Sequence, residues 1–395
     1  MHHGKKHFAG HQGLLQQLFQ FLLQLLQMLF QQLGITFPIP GTGSPCPTPS
    51  PSPTPSAAAQ PSSSPSGVNT PSSVPSSQTS QSPLTSSAPA LTAAPASGTQ
   101  SKNCSPAPNA TMTNTVSSKC GFPDTTNTGA TGTLTTNPSG PSSNTGSGWT
   151  ASGGTINVNT SGAVVKNVSL TGGIINVSAS NVTIDNVKVV AGPGSFGISL
   201  HGANNVLIEH STISGSNATS GRMDAGIKDF EVGNTYSANA VVKANNIYWV
   251  STGVQIDHGT IQDNYIHDLG MISGDHLNGT TSNGGSDGVL LTIQHNTSFN
   301  PQNQTDAISL FEDFGNQQNR VINDNLVAGG GYCIYGGQNA GGPAASNIKI
   351  TNNHFSRMYY PNCGSYGYIA AWPLNGSGGV WSGNVWDDTG ATVGQ

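Results

Sequence analysis

A short asparagine-containing pattern recurs nine times from Thr155 to the end of the chain, and it constrains the fold more than any other feature. In each instance an apolar residue is followed by polar residues, an asparagine and a short apolar step. Successive instances lie between 19 and 35 residues apart, and repeats of this length are typical of solenoids. The aligned column consists of Asn167, Asn186, His210, Asn245, Asn264, Asn296, Asn325, Asn353 and Asn384.

The segments beside each asparagine are short, rich in β-branched residues and alternate between apolar and polar side chains. No helical stretch separates them, which excludes leucine-rich and helical solenoids. The pattern predicts an all-β chain, a right-handed parallel β-helix over residues 119–395. Asparagine tolerates the left-handed turn conformation, and its amide can bond to its equivalent about 4.8 Å away on the next coil. We therefore expect the column to stack along one corner, with His210 as the single departure.

A second strand of each coil can be aligned through its small first residue and the apolar residue that follows. A period of two predicts that the apolar members point inward, namely Ile198, Ile227, Val254, Ile308 and Ile334. The next residue in each strand is then expected to point outward. These outward residues form a file on one face, namely Ser199, Lys228, Gln255, Thr281, Ser309 and Tyr335.

The N-terminal part of the chain differs in composition from the repeat region. Residues 1–37 combine a basic, histidine-rich start with an apolar run, Leu14 to Leu33, whose glutamines recur at helical spacing. A signal or membrane anchor, an interfacial helix and a self-associating helix all remain open for this segment. Residues 38–118 are rich in Pro, Ser and Thr and are expected to form a disordered linker.

Charge and cysteine content narrow the class of protein. Charged residues make up 7% of the chain and the net charge is −5, so no basic surface for nucleic acid is expected. Cys104 and Cys120 bracket a short polar segment, and Cys333 and Cys363 lie about one coil apart. We expect these two pairs to form disulfides, with Cys46 left over, which favours a secreted or cell-surface protein.

Several motifs in residues 119–395 resemble secreted bacterial proteins of the pectate-lyase-like β-helix superfamily. They are Cys120-Gly121-Phe122-Pro123-Asp124, Tyr265-Ile266-His267-Asp268-Leu269 with Gly274-Asp275-His276, and Gly383-Asn384-Val385-Trp386-Asp387-Asp388. The resemblance implies binding of a long acidic or neutral polysaccharide along one face of the helix. The set of motifs that marks polygalacturonases is absent, which argues against a hydrolase of that type.

The candidate chemistry follows from what a uronate lyase requires. Such an enzyme needs a cation, for example Ca²⁺, to hold the substrate carboxylate, and a base to remove the neighbouring proton. We expect His276 to be the acid or base, with Asp275 and Asp306 orienting it or holding the metal. His267 and Lys228 are further catalytic candidates, although the acids near Lys228 in sequence are expected to raise its pKa. Substrate contacts are expected from Gln255, Asn278, Thr281, Ser309 and Tyr335.

Two classes of function remain open at this stage. One is a polysaccharide lyase or epimerase acting on a uronate-containing glycan. The other is a non-catalytic glycan-binding protein or adhesin, in which Asp275 and His276 only cap a loop and His267-Asp268 is structural. Trp249, Tyr335, Tyr359, Tyr360 and Trp372 could stack on sugars in either class.

Overall fold

The structure is a computed structural model that describes residues 103–105, 120–233, 235–284 and 288–395. The apolar segment 1–37 and most of the linker 38–118 lie outside the described residues. All described residues belong to one unit, Ala90–Gln395. They form strands and turns, and this part of the chain contains no helix that is long and apolar enough to cross a bilayer.

The strands stack into three ladders in which each strand pairs with its equivalent one coil earlier and one coil later. Nearly all of these pairs are parallel, as expected for a stack of coils compatible with a β-helix. Ladder I consists of Thr150–Ser152, Thr155–Val158, Ile175–Val177, Phe196–His201, Met223–Phe230, Val250–Gln255, Asn278–Ser282, Asp306–Leu310, Tyr332–Gly336 and Gly367–Ala370.

Ladders II and III begin with two long strands that serve both, Val164–Thr171 and Thr183–Ala191. In later coils a turn divides them. Ladder II then contains Leu207–Glu209, Ala240–Lys243, Gly259–Gln262, Leu291–Gln294, Gln318–Asn323, Ser346–Thr351 and Val380–Ser382, with Gly146–Ser147 antiparallel at its start. Ladder III contains Thr135–Thr136, Thr212–Gly215, Asn246–Tyr248, Tyr265–His267, Thr297–Asn300, Leu326–Gly329, His354–Phe355 and Val385–Trp386.

The core lies inside the coils and is built from the apolar positions of all three ladders. The five residues predicted to point inward from ladder I, Ile198, Ile227, Val254, Ile308 and Ile334, are fully buried. The parallel stacking predicted from the repeat is therefore confirmed for this face of the molecule.

The predicted asparagine column lies at the corner between ladders II and III. The prediction is correct for six of its nine members and wrong by one residue for the other three. Asn245, Asn264, Asn296, Asn325, Asn353 and Asn384 are buried at equivalent positions. Strand pairing aligns Lys188, Thr212 and Asn246, so Ser211 occupies the asparagine position and His210 precedes it. Asn167, Asn186 and His210 instead share the preceding, left-handed position with Ala244, Asp263, His295, Asp324, Asn352 and Gly383.

The correction has a physical cause. The left-handed residue and the buried amide are neighbours in the turn, and both positions favour asparagine, so alignment by residue identity merged them. At the buried position the amide is saturated. Asn296 Nδ2 donates to Asn325 Oδ1 at 3.0 Å and to the carbonyl of Ile261 at 2.9 Å, while its Oδ1 accepts from Asn264 N at 3.0 Å.

The described residues 103–105 and 120–131 form a strap over this corner. The strap begins at the last coil and ends at an early coil, so it runs opposite to the order of the coils along the chain. Backbone and hydroxyl groups of Cys104 and Ser105 bind the carboxylate of Asp387 in the last coil at 2.5 to 3.1 Å. Further along, Phe122 stacks on His295 at 5.3 Å between ring centroids, and Thr131 N donates to Asn186 Oδ1 at 2.7 Å. Residues 103–105, which the sequence assigned to the linker, are thus docked on the last coil.

Both predicted disulfides are present. Cys104–Cys120 joins the two described parts of the strap, with Cα atoms 5.4 Å apart, and Cys333–Cys363 joins neighbouring coils, with Cα atoms 5.9 Å apart. Two disulfides are consistent with an extracellular protein.

Replacing Asn296 with Leu should lower the free energy of unfolding by about 1–3 kcal/mol for each buried backbone group left without a partner. Asn323→Leu is the matched control, because Asn323 lies half-buried on the outer side of the adjacent strand. Denaturant unfolding of both variants measures the difference. Equal losses in the two variants would contradict a special role for the buried amide.

Replacing Asp387 with Ala should release the strap. Burial alone would raise the pKa of Asp387, but hydrogen bonds from His354, Ser105 and Cys104 outweigh it and lower that pKa. The ionised carboxylate therefore stabilises the fold above its ordinary pKa, and this contribution is lost as the pH falls through the lowered value. We expect a loss of about 1–3 kcal/mol in denaturant unfolding at neutral pH.

The neighbouring Asp388 provides the control. It is half-exposed and pairs with Arg357 at 3.1 Å, so Asp388→Ala should change stability by less than about 1 kcal/mol. Limited proteolysis should also cut the strap faster in Asp387→Ala. A strap that stays protected in that variant would show that Asp387 does not anchor it.

Candidate functional site

The outward file predicted on ladder I is confirmed in register. Lys228 pairs with Ser199 and Gln255, Gln255 with Thr281, Thr281 with Ser309, and Ser309 with Tyr335. The side chains differ in access, however. Thr281 and Ser309 are buried, whereas Lys228, Gln255 and Tyr335 are partly exposed.

A second outward column accompanies this file because the strands of ladder I break the alternation of faces. A Cβ atom at Gly253 would lie 2.7 Å from Ile266 Cγ2 in the core, and the next residue, Val254, also faces the core. With two successive inward positions, the residue before the glycine points outward. Thr252, Asn278 and Asp306 are paired in this second column.

A pocket of about 450 Å³ opens over both columns. Its walls come from four successive coils, which span about 14 Å at the strand spacing of a sheet. Five of the residues predicted for the site line it together, namely Gln255, His276, Asn278, Thr281 and Tyr335. The other lining residues are Thr252, Asn283, Thr305, Phe311 and Asp313.

His276 lies exposed at the edge of this pocket. Its backbone carbonyl accepts a hydrogen bond from Ser251 Oγ at 3.0 Å, and its Nδ1 lies 3.5 Å from Thr305 Oγ1. The imidazole is thus held loosely at the rim, where it can contact a bound molecule. The predicted place of His276 beside the file is confirmed, and its catalytic role stays a prediction.

Asp306 lies beside Asn278 and is fully buried. Asn278 Nδ2 donates to its Oδ2 at 2.5 Å, while Oδ1 has no hydrogen-bond partner among the described residues. Burial raises the pKa of Asp306 well above its ordinary value, although Asn278 and Ser309 oppose the shift through hydrogen bonds. Folding therefore shifts the titration of this carboxyl toward the protonated form, relative to a carboxyl in water.

Asp275 is paired with Arg222, in keeping with the structural alternative for this loop. Its two carboxylate oxygens accept from Arg222 Nε at 2.7 Å and Arg222 Nη2 at 2.5 Å, and Oδ2 also accepts from Ile272 N. A bidentate pair of this kind fixes the loop before Asn278. Asp275 does not line the pocket beside Asp306.

The donor chemistry does not fit a Ca²⁺ site shared by Asp275 and Asp306. Calcium takes six to eight oxygen ligands, several of them usually ionised carboxylates. The guanidinium of Arg222 already binds both oxygens of Asp275, and Asp306 is fully buried with its Oδ2 accepting from Asn278. Of the four carboxyl oxygens in the predicted pair, only Asp306 Oδ1 lacks a hydrogen-bond partner among the described residues, which is too few for a calcium site.

His267 belongs to another face. It lies buried on ladder III, where its Nδ1 is 2.8 Å from Asp268 Oδ2 and its Nε2 is 2.9 Å from Asn246 Oδ1. Its ring stacks on Tyr265 with centroids 3.9 Å apart. These contacts satisfy both ring nitrogens, so the structure supports the structural interpretation of His267-Asp268.

Lys228 lies in the file beside Gln255, and its electrostatics differ from the sequence expectation. Its ammonium is 5.2 Å from the ring centroid of Phe196 and 5.0 Å from that of Phe230. Burial lowers the pKa of Lys228, and attraction from Asp224 opposes this only in part. The expectation of a raised pKa was wrong because packing between two aromatic rings could not be read from neighbouring acids in the sequence.

The arginines and most of the predicted stacking aromatics are not among the residues that line the pocket. Arg320 is buried and donates to Gln317 Oε1 at 2.7 Å and to the carbonyl of Val289 at 2.6 Å. Arg357 packs on the ring of Trp386. Of the five aromatic residues predicted to stack on sugars, only Tyr335 lines the pocket.

Sequence reasoning missed half of the pocket lining. Thr252 could have been found from Gly253, the small residue that follows it in the sequence. Gly253 and Val254 both face the core, and Thr252 therefore points outward. Phe311, Asn283 and Asp313 come from turns after the strands, where no repeat pattern marks them.

No protein-family model, curated protein or solved structure matches this chain. The resemblance to the pectate-lyase-like superfamily therefore rests on the motifs alone.

The buried carboxyl of Asp306 generates a prediction about pH. A carboxyl pKa that is raised on folding stabilises the protein only while the proton is bound, so stability falls as the pH rises from the ordinary value through the raised one. Asp306→Asn keeps the shape and removes this titration. As the pH rises from about 4 to about 8, the stability of the variant relative to that of the wild type should increase.

Thermal unfolding of both proteins at the two pH values measures this difference. Thr280→Val is the control, because Thr280 is fully buried in the same strand as Asn278 and is not among the groups that shift the pKa of Asp306, so it should shift stability equally at both values. A wild type and an Asp306→Asn variant whose difference does not depend on pH would contradict a raised pKa.

Proposed function

We propose that residues 119–395 form a right-handed parallel β-helix of an extracellular protein that binds a linear polysaccharide along the outer face of ladder I. The observation that carries this proposal is the pocket whose walls come from four successive coils. The right-handed sense is supported by the strong preference of parallel crossover connections for that hand. The two disulfides support the extracellular setting.

The chemistry of the lining favours a sugar polymer over other ligands. Amides of Gln255, Asn278 and Asn283 and hydroxyls of threonine residues can exchange hydrogen bonds with sugar hydroxyls. Phe311 and Tyr335 supply flat apolar surfaces beside them. Because the coils repeat along one axis, the groups are arranged in a line, which suits a linear chain.

Binding without catalysis is the function that the arrangement supports best. The described residues that line the pocket include no lysine or arginine to act as a cationic base. Asp306 is fully buried beneath the surface, and Asp275 is held by Arg222. The two carboxyls predicted to hold calcium are therefore committed to structural contacts.

A lyase acting on a uronate-containing glycan remains the second candidate because one observation favours it. His276 is exposed at the pocket rim, and an imidazole can exchange a proton near neutral pH. Lys228, one coil away from Gln255, could attract a sugar carboxylate. Attachment of the protein to a membrane or cell surface through residues 1–37 is proposed from the sequence alone.

A polysaccharide panel with neutral and uronate-containing members tests the proposal. Wild-type protein should bind at least one member, and Gln255→Ala and Tyr335→Ala should each weaken that binding by about tenfold, because the removed groups line the pocket. Gln294→Ala and Tyr248→Ala are the controls, since these half-buried residues lie on ladders II and III. No binding to any member would contradict the proposed function.

The same panel separates the two candidates when absorbance of unsaturated uronate products is followed. A binding protein releases no such products. A lyase releases them, and His276→Ala should abolish their release while leaving the fold intact. If both His276→Ala and Asp306→Ala turn over substrate like the wild type, the catalytic residues lie elsewhere.

A further inference from the structure

A row of four aromatic rings leads out of the pocket toward the C-terminal coils. Phe311 and Tyr335 belong to the pocket lining, with ring centroids 5.1 Å apart. Tyr335 meets Tyr332 at 5.5 Å, and Tyr332 meets Tyr366 at 5.9 Å. The row therefore crosses three successive coils on the same face as the outward file.

The far end of this row is exposed. Tyr366 has 70% of its surface accessible to solvent, whereas Tyr332 and Tyr335 are half-buried. Burial in the core therefore does not explain the place of Tyr366. A large aromatic ring that is exposed and continuous with a polar pocket has the composition of a ligand-binding surface.

The backbone that carries Tyr366 is held in place. Its amide donates to the carbonyl of Gly331 at 2.7 Å, and Ser365 N donates to the carbonyl of Gly330 at 2.9 Å. Three residues earlier, Cys363 is bonded to Cys333 in the neighbouring strand. A ring presented from an anchored segment loses little conformational entropy when a ligand covers it.

We propose that Phe311, Tyr335, Tyr332 and Tyr366 form a stacking surface that extends the glycan site beyond the pocket. The inference rests on the proposed function and adds the size of the ligand. The pocket holds one part of a sugar chain by hydrogen bonds, and the rings hold the following sugars through their apolar faces. The preferred ligand is then an oligosaccharide long enough to cover both parts, and not a mono- or disaccharide.

Calorimetric titration of the full chain with defined oligosaccharides tests this inference. The probes are cello-oligosaccharides and oligogalacturonates, from the disaccharide to the octasaccharide. Affinity should rise with length until the chain reaches Tyr366 and then level off. Tyr366→Ala should weaken binding of the long oligomers by about three- to tenfold, the factor expected for one aromatic contact, and leave the short oligomers unchanged.

Two further variants make the result specific. Tyr366→Phe keeps the ring and should bind like the wild type, which separates stacking from hydrogen bonding by the hydroxyl. Tyr360→Ala is the matched control, because Tyr360 is a half-buried tyrosine outside the row. Its hydroxyl donates a hydrogen bond to the carbonyl of Pro301. This variant should not change binding at any length.

The outcomes distinguish the stacking surface from the binding pocket. If oligosaccharides bind but Tyr366→Ala affects short and long oligomers equally, or neither, the stacking surface is wrong while the pocket stands. If Gln255→Ala and Tyr335→Ala also leave binding unchanged, the proposed function of the pocket fails as well. Wild-type protein that binds neither series at any length overturns both.

Discussion

Buried backbone groups at the corner between ladders II and III need hydrogen-bond partners, and the other features of the fold depend on this constraint. From the coil of Asn245 to that of Asn384, the chain turns between ladders II and III inside the protein, where an unpaired amide or carbonyl is costly. Asn264, Asn296 and Asn325 meet this requirement with one side chain per coil, and each binds its equivalent at 3.0 Å. Because this contact repeats, successive coils keep the same register, and ladder I is aligned as a consequence.

Alignment of ladder I alone would give a single file of outward side chains. The glycines of this ladder add the second column, since they let two successive positions face the core. At Gly253 a side chain would collide with the carbonyl oxygen of Gly279 at 2.3 Å. Thr252, Asn278 and Asp306 thereby share the outer face with Gln255, Thr281 and Ser309, and a pocket two columns wide results.

Charged groups in this protein are used mainly for structure. Arg222 holds Asp275, and Asp387 holds the strap. The pocket is left with amides, hydroxyls, aromatic rings, His276 and Asp313. This division explains how a chain with so few charged residues forms a pocket lined mainly by uncharged polar and aromatic side chains.

The sequence by itself determined the class of fold, the order of the coils, both disulfides and the register of the file from Lys228 to Tyr335, because these features depend on local alternation and on spacing. It also indicated which amides stack, although Asn186 and His210 were placed one residue away from their true column. Only the tertiary structure decided which polar groups are free. The partner of Asp275, the burial of Asp306, the rings around Lys228 and the continuation through Tyr332 and Tyr366 all depend on contacts between residues far apart in the chain, and a repeat pattern carries no information about those contacts.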